Sequence, residues 1–449
     1  MTNIDFTPWL GFGMLLSVCL LTVITRWAIW EILIAVSAFF SIVGVMHGNF
    51  NPAILGLLSA RLLGLLENDL LQAIPLYVLF GILLQASGLS DDVFHLFKRI
   101  CIRFHLPEQV SVLLFAALAA PMNGSVAANA GMLKRLLSDK LTSMQSSQTL
   151  GLICAASTVG LVIPPSLVLI LMGDVMMRAH TQAFNSGLLM TPDQHVINNA
   201  DMFKAAFIPA LVVFLLWLLV SVWVFRKQPK HPAKHPSPVA ITSHLRAWVT
   251  VAFIGLLLAS VFNGTLYAVE AAASGCLLLF LYVVWRVPAG QLHWKTMLED
   301  VFSFSGSLLT LLIAATTFSL IFRLFETDQW ISQWIVESAS DHLHILLILM
   351  GVAACAWLMD AFELIFVVIP VVSPGLIIHL GSAEQAAVLL LLVIQLSYLV
   401  PPFGYAVVIA GQSMSLPHKH RWLNSLWPYW LVLFVVFSLV FMKPQWMRW

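Results

Sequence analysis

Two stretches of this chain set oxygen-bearing residues and helix breakers at one common spacing. The first is Asn123-Gly124-Ser125, followed by Ser157, Thr158, Gly160, the pair Pro164-Pro165 and Ser166. The second is Asp360, followed by Gln395, Ser397, the pair Pro401-Pro402 and Gly404. Asn123 precedes Pro164 by 41 residues, and Asp360 precedes Pro401 by the same 41. Proline removes a backbone donor and blocks a continuous helix, so each Pro-Pro pair predicts a break. A broken helix turns unpaired N–H groups toward an anion and unpaired C=O groups toward a cation. Hard cations take several oxygen ligands. The metal ligands expected on this reasoning are Asn123, Ser125, Ser157, Thr158, Gly160, Asp360, Gln395 and Ser397. A solute is expected against Asn123, Gly124, Ser125, Ser166 and Gly404.

A purely structural explanation competes at each position. Small residues let helices approach closely in a membrane. Asp360 could cap the helix that follows it. Yet Asp360 and Glu363 lie in an apolar run, where charge is costly and usually marks an ion or proton path. For Asp174, for Glu270 and for Arg323 near Glu326, a structural role is expected.

The elements that must hold these residues are membrane helices. The 449 residues are 60% hydrophobic and only 10% charged, against about 25% charged in a soluble domain. Mean hydropathy is +0.93. The fold class expected is therefore an all-α polytopic membrane protein. A net charge of +1 gives no reason to expect nucleic acid. The five cysteines are scattered without metal-binding spacing and read as packing residues. The N-terminus lacks a basic region and cleavage site, so no cleaved leader is expected. No HExxH, P-loop or GxSxG motif suggests an enzyme.

Apolar runs predict ten crossings, at about 8–25, 27–46, 70–89, 148–177, 204–225, 247–262, 267–285, 301–325, 386–415 and 424–442. The runs 107–137 and 344–378 break at their centres and read as re-entrant hairpins. Residues 49–69 and 290–300 read as interfacial amphipathic helices. Lys and Arg gather on one face, with Lys98, Arg99, Arg103, Arg226, Arg246 and Arg286 among them. That face is expected to be cytoplasmic, which places both termini on the other side.

Shifting the chain by 237 residues lays Asn123 on Asp360 and Pro164-Pro165 on Pro401-Pro402. Each half has five crossings and a hairpin, and an odd number of crossings inverts the second copy. The organisation expected is a first inverted repeat at 1–225, a linker at 226–246 and a second repeat at 247–449. The first repeat holds hairpin 107–137 and broken helix 148–177, the second hairpin 344–378 and broken helix 386–415. Inverted repeats with matching interrupted helices point to a secondary transporter with its site near mid-membrane. The linker's His231, His235 and His244 could bind a metal, but a solvated basic loop explains them.

At these residues the chain resembles the large membrane (DctM-like, or M) subunit of TRAP transporters, the tripartite ATP-independent periplasmic transporters. The stretches that carry the resemblance are CAASTVGLVIPPSLVLILMGD, WLMDAFELIFVVIPVVSPG, IQLSYLVPPFGYAVV and FNGTLYAVEAAASG. Gly173-Asp174, the Asp360-x-x-Glu363 pair and PPFG are similar to a subgroup labelled mannitol/chloroaromatic. The resemblance implies an elevator-type fold of the ion-transporter superfamily in a bacterial inner membrane. It implies sodium ions as coupling ions, bound at the hairpin tips and facing broken helices. It also implies a small four-helix Q subunit, a periplasmic substrate-binding protein and a small organic acid as substrate. The alternative is a stand-alone sodium- or proton-coupled organic anion transporter. The chain departs from the family pattern at Asn129, where an acid is common, and at Val400, where Thr is usual.

Overall fold

The computed structural model describes residues 7–25, 27–48, 50–51, 53, 56–67, 69–123, 125–141, 147–186, 197–226, 241–288, 293–327, 329–331, 342–401, 403–414 and 422–443. Most of the 226–246 linker, including His231 and His235, lies outside them, as does Gly124.

The described residues of the first half form α1 (Thr7–Thr25), α2 (Ile29–Met46), α3 (Leu57–Leu66), α4 (Asp69–Ala86) and α5 (Leu89–Arg103). The first hairpin is α6 (Val110–Asn123) and α7 (Val126–Leu141). The first broken helix is α8 (Ser147–Thr158) and α9 (Leu167–Asn185), and α10 (Asn199–Phe225) closes the half. The second half runs α11 (Ile241–Phe262), α12 (Ala268–Arg286) and α13 (Trp294–Leu324). Its hairpin is α14 (His342–Cys355), then α15 (Ala361–Val367) and α16 (Ile369–Leu380). Its broken helix is α17 (Ala383–Tyr398) and α18 (Tyr405–Met414), and α19 (Trp422–Met442) ends it.

The chain is a polytopic membrane protein built of helices. Large apolar side chains such as Ile24, Phe39, Leu219, Trp223 and Phe302 face outward, a surface that only lipid or a partner subunit can cover. Serine and threonine hydroxyls along these helices turn inward to the backbone, as Ser17 bonds the Gly13 carbonyl at 2.6 Å. Two glutamates set helix starts. Glu31 accepts the Ala28 N–H at 3.2 Å, and Glu270 accepts the Tyr267 N–H at 2.9 Å. Glu270 is thus a cap, the structural role expected of it.

Among the described residues, seven helices are by themselves long and apolar enough to span a membrane, or nine when each of two bent pairs counts as one. Ten crossings were expected; the difference lies in helices that are cut. The Pro-Pro break leaves α8 only 12 residues long and α17 only 16. The expected crossing at 70–89 is α4, which turns by 71° into α5. Gly88 makes that turn at φ 70°, a left-handed conformation open to glycine.

Two expectations need correction. Residues 290–300 do not form a separate amphipathic helix: from Trp294 they are the start of the 31-residue α13. No proline interrupts that run. Its counterpart is split, with α3 ending at Leu66 and α4 beginning at Asp69. The second hairpin, expected to break only near Met359-Asp360, also bends by 67° between α15 and α16. Pro370 lacks the N–H that would bond back to Phe366, which loosens the helix there.

The two halves pack reciprocally. Helix α4 lies on α12, and α2 lies on α13; α9 lies on α16, and α7 lies on α18. Helix α8 packs on α19, as α17 packs on α10. The closing helices of the two halves, α10 and α19, are locked together: Trp217 Nε1 donates to the Tyr429 carbonyl at 3.0 Å, and Ser221 Oγ lies 2.9 Å from the Tyr429 hydroxyl.

Candidate functional site

The two breaks meet at the centre of this packing. Gln395 Nε2 donates to the Thr158 carbonyl at 3.2 Å and to Thr158 Oγ1 at 3.4 Å. Both residues are fully buried. Thr158 is the last residue of α8, and Gln395 stands one turn before the end of α17. Gln395 Oε1 is buried with no hydrogen-bond partner. Buried acceptors are rarely left so, and one in a native fold asks for an explanation.

Around the first break, Ser157 Oγ donates to the Cys154 carbonyl at 2.8 Å, and Thr158 Oγ1 to the Ala155 carbonyl at 2.9 Å. Both hydroxyl protons are spent on their own helix, and each oxygen keeps lone-pair capacity toward the break. A single 3₁₀ turn, Val159–Leu161, carries the buried Gly160 past the end of α8. The chain then crosses Pro164-Pro165 and restarts at Ser166, whose Oγ accepts the Leu169 N–H at 3.0 Å. Ser166 is therefore the N-cap of α9. The buried Ser125 Oγ accepts the Ala128 N–H at 3.5 Å, at the start of α7. One turn on, Asn129 Nδ2 donates to the Ser157 carbonyl at 3.3 Å and ties this hairpin to the broken helix. Gly124 and the side chain of Asn123 lie outside the described residues.

At the second tip, Asp360 is the N-cap of α15, and its N–H donates to Glu363 Oε2 at 2.7 Å. Asp360 Oδ1 is buried and has no hydrogen-bond partner. The Tyr398 hydroxyl donates to the Met359 carbonyl at 3.0 Å, and Ser397 Oγ donates to the Ala353 carbonyl. These two bonds fasten the end of α17 to the hairpin tip. Across the break, the Tyr398 and Tyr405 rings lie 5.4 Å apart. A Cβ at Gly404 would collide with the Tyr398 and Val400 carbonyls, so the turn closes only around glycine.

Of the expected residues, Ser125, Ser157, Thr158 and Gln395 are connected through Asn129, while Asp360, Ser397 and Gly404 surround the other break. The first group is neutral, and the second holds Asp360 with Glu363 bonded to its N–H. Val400 supplies a carbonyl, already accepting the Gly404 N–H at 2.7 Å. Among the described residues, no three His, Cys, Asp or Glu side chains cluster as a metal site. The donor set is one of hydroxyl, amide, carboxylate and carbonyl oxygens, with Asp360 Oδ1 and Gln395 Oε1 unsatisfied. That set fits a hard cation rather than a transition metal. Sequence reasoning passed over the tyrosines: a Tyr on each side of the second Pro-Pro was the available signal. Asn129 was noticed only as a departure, whereas here it is a fastening.

A family model described as tripartite ATP-independent periplasmic transporter, DctM component, matches residues 13–446. The sialic acid TRAP transporter large permease protein SiaM of Vibrio cholerae is 22% identical over 403 residues, covering 86% of this chain and 87% of its own. The C4-dicarboxylate TRAP transporter large permease protein DctM of Pseudomonas aeruginosa is 22% identical over 414 residues, covering 87% and 88%. The sialic acid TRAP transporter permease protein SiaT of Haemophilus influenzae is 21% identical over 93% of this chain, which spans 64% of that relative. These relatives are named for sialic acid and C4-dicarboxylates, and they give no support to the mannitol/chloroaromatic subgroup. The short motifs behind that expectation have local tasks here: Asp174 pairs with Arg178 at 3.0 Å, and Glu363 braces Asp360.

Proposed function

This chain belongs to the DctM component family of tripartite ATP-independent periplasmic transporters, and on that premise we propose that it is the large permease subunit of a sodium-coupled importer of a small organic acid. It is a transporter component and not an enzyme. In this reading it works in a bacterial inner membrane with a small Q subunit and a periplasmic substrate-binding protein, both termini being periplasmic. Relatives named for sialic acid and C4-dicarboxylates support an acid as the solute.

The observation that carries the coupling is the pair of orphaned buried oxygens at the two breaks, Asp360 Oδ1 and Gln395 Oε1. A monovalent cation supplies the positive charge that such oxygens lack. The chain's own part is to hold them in place. Thr158 holds the Gln395 amide by Nε2 and leaves Oε1 to a cation, and the Glu363 brace presents Asp360 at a helix start. The solute would sit against Ser125, Ser166 and Gly404, where the restarting helices α7, α9 and α18 turn their N-terminal N–H groups toward an anion.

Movement is read as an elevator, with the hairpins and broken helices travelling together against a scaffold of α1–α5 and α11–α13. The bonds from Asn129 to Ser157, Tyr398 to Met359 and Gln395 to Thr158 support one rigid travelling group. Helices α10 and α19 are assigned to the travelling group as well. Their packing on α8 and α17 and the Trp217–Tyr429 bond support this. The inverted-repeat organisation is supported by the reciprocal packing of helices offset by 237 residues. The test is uptake into proteoliposomes holding the permease and its small subunit, with the binding protein outside and a sodium gradient imposed. Uptake of sialic acid or a C4-dicarboxylate that follows the gradient is expected; uptake indifferent to sodium would overturn the coupling.

A further inference from the structure

A cavity of about 440 Å³ opens beside the broken helix, away from the two breaks, between α3, α9, α13 and the bent arm α15–α16. That is within the size of small-molecule sites, roughly 300–1,000 Å³. Three arginines line it: Arg61 from α3, Arg178 from α9 and Arg323 from α13. The lining holds one carboxylate, Asp174, which already pairs with Arg178 at 3.0 Å. Arg323 donates to the neutral amide oxygen of Gln182. Among the described residues, no acceptor bonds Arg61. Partial burial, and after it the like charge of Arg323, hold the Arg61 guanidinium below its ordinary value. Thr316 and Ser319 add hydroxyls on the α13 wall, and Leu171 and Phe366 add apolar surface.

Three cations and one anion leave an excess of positive charge in a partly enclosed space. Two guanidiniums near each other repel unless something negative lies between them. Their planar forks match a carboxylate in bidentate fashion. Asp174 lies roughly two helical turns beyond the Ser166 cap on α9. The cavity is therefore set apart from the breaks along the same helix.

We propose that this cavity is a carboxylate-binding subsite, in which Arg61 and Arg323 hold the acid group of an organic anion while Asp174 keeps Arg178 in position. The identity of the anion rests on the transport reading; the cavity and its charge do not. Arg61 and Arg323 stand on the scaffold of that reading and Arg178 on the travelling group, so the bound anion spans the gap between them.

The test is equilibrium binding to the purified full chain in detergent. Radiolabelled succinate and N-acetylneuraminate serve as probes, with mannitol as the neutral competitor and phosphatidylglycerol as the lipid anion. At least one carboxylate is expected to bind, mannitol to leave it in place, and Arg61→Gln and Arg323→Gln each to weaken it tenfold or more. Arg323→Lys should recover part of the loss, and Lys295→Gln, an exposed change elsewhere, should have no effect. Failure of both carboxylates to bind, unchanged affinity in both glutamine variants, or displacement by phosphatidylglycerol alone would overturn the subsite. Sodium-driven uptake unaffected by the arginine changes would overturn it while leaving the transport reading intact. Carboxylate binding lost in those variants, with no sodium-driven uptake by the unaltered chain, would keep the subsite and remove the coupling.

Discussion

Gln395 bonds the one residue onto which a shift of 237 positions would lay it, Thr158. In an arrangement of two related halves, only residues at the axis relating them can touch their own counterparts. The contact that joins the two breaks is asymmetric, an amide on one side and a hydroxyl with its carbonyl on the other, and on the inverted-repeat reading proposed above it lies at that axis.

Replacing Gln395 by Leu removes the donor that bonds both the Thr158 carbonyl and its hydroxyl. The expected loss is about 1 kcal/mol of stability, read as a lower melting temperature in detergent. Gln395→Glu keeps the shape and Oε1 but puts an acceptor oxygen where Nε2 donated, against the Thr158 carbonyl, and it should destabilise as well. Melting unchanged in both variants would show that the contact contributes nothing.

Gly404→Ala puts a methyl group against the Tyr398 and Val400 carbonyls. Backbone carbonyls cannot swing aside as a side chain would, so about 1–3 kcal/mol is expected from overpacking. Gly255→Ala, with open space around its added carbon, serves as the control. Equal expression and melting of the two variants would contradict the tight turn.

Asp360→Asn keeps the side-chain shape and one carbonyl oxygen, and the protein should still fold. If the carboxylate offsets the coupling ion, the loss is on the order of a few kcal/mol in a partly buried site. Uptake should then need a higher sodium concentration. Ser157→Ala should shift the sodium requirement separately, because it acts at the neutral break. Identical sodium curves for both variants and the unaltered chain, at matched expression, would remove the ions from these positions.

Cysteine placed at Lys234, in the linker, should react with an impermeant reagent only after the membrane is opened. Labelling in intact cells would reverse the orientation read from the basic residues.

Disulfide cross-links between α4 and the tip of either hairpin should form in a state-dependent way, changing when sodium and solute are added. Cross-links between Trp217 and Tyr429 positions, on two helices assigned to one travelling group, should form equally in all states. A change in the second pair would separate α10 from α19.

Much of this arrangement was legible in the sequence because prolines and apolar runs act locally. Pro164-Pro165 and Pro401-Pro402 announce breaks wherever the chain folds, and runs such as α1 and α10 span by length alone. The hairpin turn before Ser125 and the start of α15 at Asp360 followed from the same logic. What escaped depended on distant partners. The arginine cavity draws its three charges from positions 61, 178 and 323, each of which reads singly as an interfacial residue. The Asn129–Ser157 and Tyr398–Met359 bonds likewise join segments whose approach no local pattern encodes. The bend at Pro370 and the unbroken run of α13 could both have been read locally, from a proline present in one stretch and absent from the other.

The reciprocal packing bears on how the chain is made. Helices α2, α4, α8 and α9 find major partners in α13, α12, α19 and α16, which leave the ribosome only after the linker. Until then the first half sits in the bilayer with those faces turned to lipid. Its small and hydroxyl-bearing surfaces must wait without a mate, and closing such distant contacts is slow. A chain stopped at the linker would hold a set of inserted helices and no finished fold. Assembly within the membrane would then begin in earnest only as the second half threads itself among helices already in place.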